Sequence, residues 1–359
     1  MQTLDKVKLH KSLPRIAITM GDPAGIGPEV IVKGWLRGYL HSICVPVVVG
    51  SIELLKKAIS ESGADLKLIP LKSLERIPEF ENDQIGVIEP LKAPDVTSIV
   101  PGKIDARCGM AAYEYLNFAI DAALSTQIDA IVTLGLHKES LSRAGVAEPG
   151  HTEILARRCG VPDVAMMLYL PPEHGRHKGL GVVHATLHNS LRKVFDLLTP
   201  ERLDASIRLA HDVMKPLLAD GQIQPRVALA ALNPHAGEGG LFGDEEIRLI
   251  APAVARAQLS GMDASGPFSA DTLFGQALGG QYDVVVAMYH DQGHVALKTL
   301  GFDRAVNITC GLPIVRTSVA HGTAFDIVGQ GVARPESLES ATYAAAKIAL
   351  WHRRNHTGP

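Results

Sequence analysis

Three histidines stand out by where they fall along the chain. The sequence holds 15 histidines, and an isolated one is ordinarily a hydrogen-bonded core or surface residue. His188, His235 and His290 each follow an apolar run of strand-like sequence: GVVHATL, RVALAAL and YDVVVAMY. In an open α/β sheet, ligands gather in the crevice beyond the carboxyl ends of the strands. Imidazoles delivered from three strand ends can therefore converge although they are scattered in sequence. Imidazole is the commonest protein ligand for first-row transition metals, and three of them leave coordination positions open for a substrate. Nitrogen donors favour Zn2+, Co2+, Ni2+ or Mn2+ over Mg2+, which metal availability can override. His294, in the HDQGH run, resembles the second member of a helical zinc pair. His290 is the preferred ligand, because His294 falls where the chain turns into the next segment.

A second group suits an anion. Lys298 supplies a point charge, Arg316 a fork of donors and Asn307 an amide, which together fit a phosphate or carboxylate. The segment GHTE (Gly150–Glu153) offers Thr152 and backbone amides at a helix start. Each of these also reads as an ordinary solvated residue. In NPHAGEGGLFGDEE (Asn233–Glu246), glycines allow close backbone approach, and Asp244 is placed to cap a helix that opens with Glu245 and Glu246. GDPAGIGPE (Gly21–Glu29) follows a strand but is not GxGxxG and lacks the acidic residue about 20 positions on. It reads equally as a tight strand-to-helix turn. TSVAHGTAFDIVGQG (Thr317–Gly331), with His321 and Asp326, reads as a cofactor-pocket lining or as a turn into the last helix.

The elements that must position these residues alternate. Predicted strands cover Arg15–Met20, Val45–Val49, Ala130–Leu134, Gly181–Leu187, Arg226–Leu232 and Tyr282–Tyr289. Predicted helices cover Gly27–Leu40, Ala106–Ser125, Asn189–Leu197, Pro200–Asp220, Asp244–Ser260 and Ser337–Asn355. This is an α/β pattern with a mostly parallel sheet. The 359 residues, 46% of them hydrophobic, suffice for one or two domains. A net charge of -3 and 5% aromatics argue against nucleic acid and anionic membrane as partners. Four scattered cysteines without a CxxC pair read as inert thiols. No secretory h-region opens the chain and no run approaches the ~20 apolar residues of a membrane span. A soluble cytoplasmic protein is expected.

The ordered motifs ITMGDPAGIGPEV, GHTEILA, NPHAGEGGLFGDEE, GPFSADTLF, AMYHDQGH, AVNITCGLP and RTSVAHGTAFDIVGQG together resemble the 4-hydroxythreonine-4-phosphate dehydrogenase family of pyridoxal phosphate biosynthesis. The resemblance runs from about Arg15 to the C-terminal helix. GLFGDEE and HDQGH resemble more closely the branch acting on 4-phosphorylated D-threonate or D-erythronate. The resemblance implies an isocitrate/isopropylmalate dehydrogenase-like fold: two α/β domains with a cleft between them. Residues 1–135 plus 318–359 would form the first, and residues 136–317 the second, with the metal site and dimer interface. It implies a homodimer whose active sites are shared by both subunits. It also implies that His188, His235 and His290 hold a divalent metal, and that His151, Thr152, Lys298, Asn307 and Arg316 bind substrate. NAD or NADP would lie by His321, Gly322, Thr323, Ala324 and Asp326.

The implied reaction is oxidation of a substrate hydroxyl, with decarboxylation where a β-keto acid forms. Lys298, Asp271 or Asp291 would take the hydroxyl proton. Three departures bear on it. Ala320 stands where the family usually has Asp before His-Gly-Thr-Ala, Leu136-His137 replaces a more usual pair, and PPEHGRHKG (Pro171–Gly179) reads as a lengthened hairpin. The competing readings are a phosphate acyltransferase, a dihydrodiol dehydrogenase of the same family, and a catalytically silent relative.

Overall fold

A computed structural model describes residues 13–162, 164–173, 178–218, 222, 224–301 and 303–355. Part of the lengthened hairpin, residues 174–177, and the first 12 residues lie outside that set. The strands among the described residues are β1 (Arg15–Thr19), β2 (Val45–Val49), β3 (Lys67–Pro70), β4 (Gln84–Ile88), β5 (Ala130–Thr133), β6 (Ala165–Leu170), β7 (Leu180–His184), β8 (Val227–Ala230), β9 (Ala264–Phe268), β10 (Val284–Ala287), β11 (Val306–Cys310) and β12 (Arg316–Val319). The chain divides into two compact units, one ending at Val164 and resuming at Gly311, the other spanning Ala165–Cys310. No described helix is long and apolar enough to cross a membrane, and the four cysteines are free.

In the first unit the strand order is β3-β4-β2-β1-β5-β12, with every pairing parallel. Strands covered on both faces need side chains that tolerate burial on both sides, so β2 and β5 read as unbroken apolar runs and are buried throughout. The helices Ala106–Leu124 and Glu336–Asn355 bury small residues against this sheet. The expected helix Gly27–Leu40 is two helices, Gly27–Leu36 and Tyr39–Ile43, because Gly38 takes a left-handed φ of 70° between them.

In the second unit the order is β11-β6-β7-β10-β8-β9. The sheet is mostly parallel here too, as expected, with β6 the exception: β7, β10, β8 and β9 pair in parallel, and β6 runs antiparallel to both β7 and β11. Neighbouring antiparallel strands such as β6 and β7 need no crossover helix between them. β7 stops at His184, short of the expected Leu187. The expected helix Asp244–Ser260 opens instead as a wide π turn, Glu246–Ile250, and becomes α-helical over Ala251–Leu259.

Candidate active site

The second unit brings imidazoles together at the carboxyl ends of β7 and β10. The helix His290–Gly301 starts three residues after β10, and its four-residue spacing sets His290, His294 and Lys298 along one side. The His188 and His290 rings lie 5.6 Å apart, centroid to centroid, tilted by 41°. His294 stacks on His290 at 3.8 Å and 11°. Its Nδ1 meets Nε2 of His184 at 3.1 Å. Sequence reading missed His184, which is the last residue of β7, and set His294 aside. Burial, reinforced by the neighbouring imidazoles, pushes His184 down to about 3; burial, His290 and Lys298 push His294 down to about 4. Both rings are therefore neutral at pH 7. His290 Nδ1 lies 2.7 Å from the Asp291 carboxylate. A carboxylate there fixes the ring and its tautomer, leaving the other nitrogen as an acceptor. Asp291 is thus engaged in orientation.

His235 stands in a different setting. It opens a left-handed turn in which His235, Ala236, Gly237, Glu238 and Gly239 all have positive φ, from 44° to 78°. Three of them carry a Cβ, and residues held there cost about 1–3 kcal/mol each, strain that collects at functional sites. Its electrostatic pull is felt by Asp271, whose carboxylate is held low first by the Ser269 hydroxyl, at 2.7 Å, and then by His235. What holds the turn is Glu246. Its Oε1 accepts from the amides of Leu232 at 2.8 Å and Asn233 at 2.7 Å, and its Oε2 from Asn233 Nδ2 at 3.0 Å. Burial alone would raise this carboxyl, but the Asn233 and Leu232 bonds outweigh it and hold it low. The expected helix cap at Asp244 is replaced: Asp244 is exposed and pairs with Arg248, and Glu246 is the buried anchor.

Lys298 is close enough to His294 to weaken that ring's hold on a proton. Asn307 sits in β11, opposite Leu168 of β6. The other predicted anion-binding residues belong to the first unit. Arg316, in β12, is 4% exposed and donates from Nη2 to Thr133 Oγ1 at 2.6 Å. Burial brings its guanidinium down to about 10. His151 and Thr152 begin the helix His151–Cys159, whose Gly150 cap offers no side chain to the free amides. Burial, then the Arg316 charge, pushes His151 down to about 3, so the two lie within electrostatic reach.

The predicted cofactor loop, His321–Asp326, also belongs to the first unit and is braced by the turns after β1 and β5. The Ile26 amide donates to the Thr323 carbonyl at 3.1 Å, and Asp22 N donates to Gly135 O at 2.8 Å. A Cβ on Gly135 would sit 2.6 Å from the Gly322 carbonyl, so glycine is what lets the two loops touch. His137 stacks on Phe325 at 4.7 Å and 7°, which gives the unusual Leu136-His137 pair a bracing task. The Ala320 amide donates to Ser337 Oγ at 3.2 Å. Beside the loop lies a cavity of about 630 Å³, lined among others by Gly25, Ile26, Lys57, Glu61, Val328 and Gly331.

Among the described residues no three His, Cys, Asp or Glu side chains are drawn together as a finished metal centre. The donor chemistry nevertheless suits a borderline-soft cation. Two predicted ligands, His188 and His290, face each other, and the second has its Nδ1 turned to a carboxylate. His235 lies on the strained turn, within electrostatic reach of Asp271.

A sequence model of the family described as "Pyridoxal phosphate biosynthetic protein PdxA" matches residues 42–345. The chain is 45% identical over 337 residues to the D-threonate 4-phosphate dehydrogenase of Salmonella typhimurium, covering 93% of this chain and 98% of that one. It is also 45% identical over 336 residues to the 4-hydroxythreonine-4-phosphate dehydrogenase of Beijerinckia indica, covering 93% and 95%. Among solved structures, the 4-hydroxythreonine-4-phosphate dehydrogenase of Klebsiella pneumoniae is similar with a TM-score of 0.79 at 41% identity, covering 94% and 98%. The chain therefore belongs to the PdxA family of pyridoxal phosphate biosynthetic proteins.

Proposed function

We propose that this protein is a dehydrogenase that uses NAD or NADP and a divalent cation to oxidise the hydroxyl of a small 4-phosphorylated hydroxy acid. The substrate class is that of 4-hydroxythreonine 4-phosphate or of 4-phospho-D-threonate and 4-phospho-D-erythronate. The observation that carries the reading is the cluster of imidazoles around His290, built on the HDQGH helix of a chain 45% identical to dehydrogenases of both names.

His188, His235 and His290 would hold the cation. When bound, it lowers the pKa of the substrate hydroxyl and polarises the carbonyl that replaces it. The nicotinamide would supply the hydride acceptor, and a side chain of this site would take the hydroxyl proton. Lys298, Asp271 or Asp291 would take that proton; Asp291 is engaged with His290, and Asp271 is held low first by Ser269 and then by His235, which makes it a weak base. If the product is a β-keto acid, carbon dioxide leaves and its bonding electrons pass into the carbonyl.

His151, Thr152, Asn307 and Arg316 would hold the anionic ends of the substrate. Arg316 stays charged at pH 7 despite burial, since about 10 is still well above neutrality. The dinucleotide would lie against His321, Gly322, Thr323, Ala324 and Asp326, with the adjoining 630 Å³ cavity as room for its far end. The functional unit would be a homodimer with shared active sites, which light scattering on the purified protein measures directly.

The test is spectrophotometric. Purified protein is offered each 4-phosphorylated acid and a dihydrodiol, with NAD or NADP, with and without added Co2+, Zn2+ or Mn2+. Cation-dependent reduced nicotinamide with a phosphorylated acid is expected; turnover of the dihydrodiol alone, or of none, overturns the reading.

A further inference from the structure

We propose that His184 and His294 form a hydrogen-bonded pair that positions the His290 imidazole, and that Gly293 is the residue that lets the pair meet. The proposal rests on the reading of His290 as a cation ligand.

Both members of the pair are buried. His184 is the last residue of β7 and 4% exposed; His294 lies in the second turn of the HDQGH helix and is 9% exposed. With 3.1 Å between Nε2 and Nδ1, one nitrogen donates and the other accepts. His294 then lies flat against His290, with centroids 3.8 Å apart and planes 11° from parallel. Rings stacked that way send their in-plane lone pairs side by side and cannot aim both at one ion. His294 is therefore a backing plate for the ligand ring, not a second ligand. Its stacking leaves His290 little freedom to rotate, and its own rotation is stopped by His184.

Gly293 explains how strand and helix come close enough. A Cβ there would lie 2.4 Å from His184 Nε2 and 2.7 Å from Val182 Cγ1. Any other residue would push the helix off β7 or displace the His184 ring. A further sign that the contact matters is that His184 Nδ1 is buried without a hydrogen-bond partner among the described residues. The ring's polar contact is made instead through Nε2, on His294.

The experiment compares two pairs of variants in the full-length protein, stripped of metal and titrated with Co2+ by calorimetry. His294→Phe keeps the stacked ring and loses the hydrogen bond, while His294→Asn keeps a polar group where Nδ1 lies. His184→Leu and His184→Gln make the same comparison from the strand side. Circular dichroism of each metal-free variant reports whether it folds; if one pair does not, the other carries the test. His294→Phe and His184→Leu are expected to bind Co2+ about 10- to 100-fold more weakly, the range for groups that orient a metal ligand. His184→Gln is expected to stay near the wild-type affinity, while His294→Asn, which gives up the stacked ring, is expected to weaken binding as His294→Phe does. Folded Phe and Leu variants that bind as tightly as wild type, His294→Asn at wild-type affinity, or equal losses in the two His184 variants, overturn the positioning role alone. Wild-type protein that binds no Co2+ overturns the ligand reading itself, and the positioning role with it.

Discussion

Glu246 reaches back along the chain to Asn233, accepting from its backbone amide at 2.7 Å and from its side-chain amide at 3.0 Å. This one buried carboxylate fixes the exit of β8 and the start of the left-handed turn that carries His235. Replacing it with Ala leaves those amides without their acceptor. Glu246→Ala is expected to lose about 1–3 kcal/mol of unfolding free energy and to lower turnover about tenfold or more, as misplacement by an ångström does. Denaturant melts and steady-state rates check the two effects, and Glu246→Gln should recover part of the first.

Arg316 should act on binding more than on chemistry. Arg316→Lys keeps a charge but loses the donor fork. We expect KM for the phosphorylated acid to rise about 10- to 100-fold, a loss of roughly 1.4–2.8 kcal/mol, with kcat changed far less. Initial rates over a substrate range separate these quantities.

Gly135 is expected to act on the cofactor. Its backbone touches Gly322, and a methyl group would sit within 2.6 Å of that carbonyl. Gly135→Ala should displace the His321–Asp326 loop and raise the cofactor KM about tenfold, roughly 1.4 kcal/mol, while the KM for the acid stays close to wild type. An unchanged cofactor KM would detach this loop from dinucleotide binding.

Acid should destabilise the fold in a defined window. His151, His184 and His294 are held at about 3 to 4, well below the 6.5 of a free imidazole, chiefly by burial. As the pH falls from 6.5 toward 4, the unfolded chain takes up protons that the folded chain refuses. Stability contributed by the neutral rings is thus full above 6.5 and is lost on acidification, by up to about 1.4 kcal/mol per pH unit for each ring. Denaturant midpoints measured from pH 7.5 to 4.5 should fall in this window, less steeply in His151→Gln.

Much of this arrangement is legible in the sequence because parallel, doubly covered strands announce themselves as apolar runs. VPVVV, AIVT and VVVA are strands for that reason, and polar residues just past such runs fall at the carboxyl edge. What stayed hidden is tertiary. β6 is built from AMMLYL, with no β-branched residue to mark it, and β9 carries Gly-Pro, which ordinarily argues against a strand. His184 is concealed inside the run VVHA, and only the packing of Gly293 on β7 reveals its partner. Glu246 reads as an ordinary first-turn acid until the wide π turn brings it back to Asn233.

The most direct test of the proposed cation site is a crystal of the protein grown with Co2+ and measured at the cobalt absorption edge. One anomalous peak per chain is predicted, about 2.0–2.1 Å from a ring nitrogen of each of His188, His235 and His290. A peak on His188 and His290 that His235 does not reach, or no peak beside these rings, would contradict it.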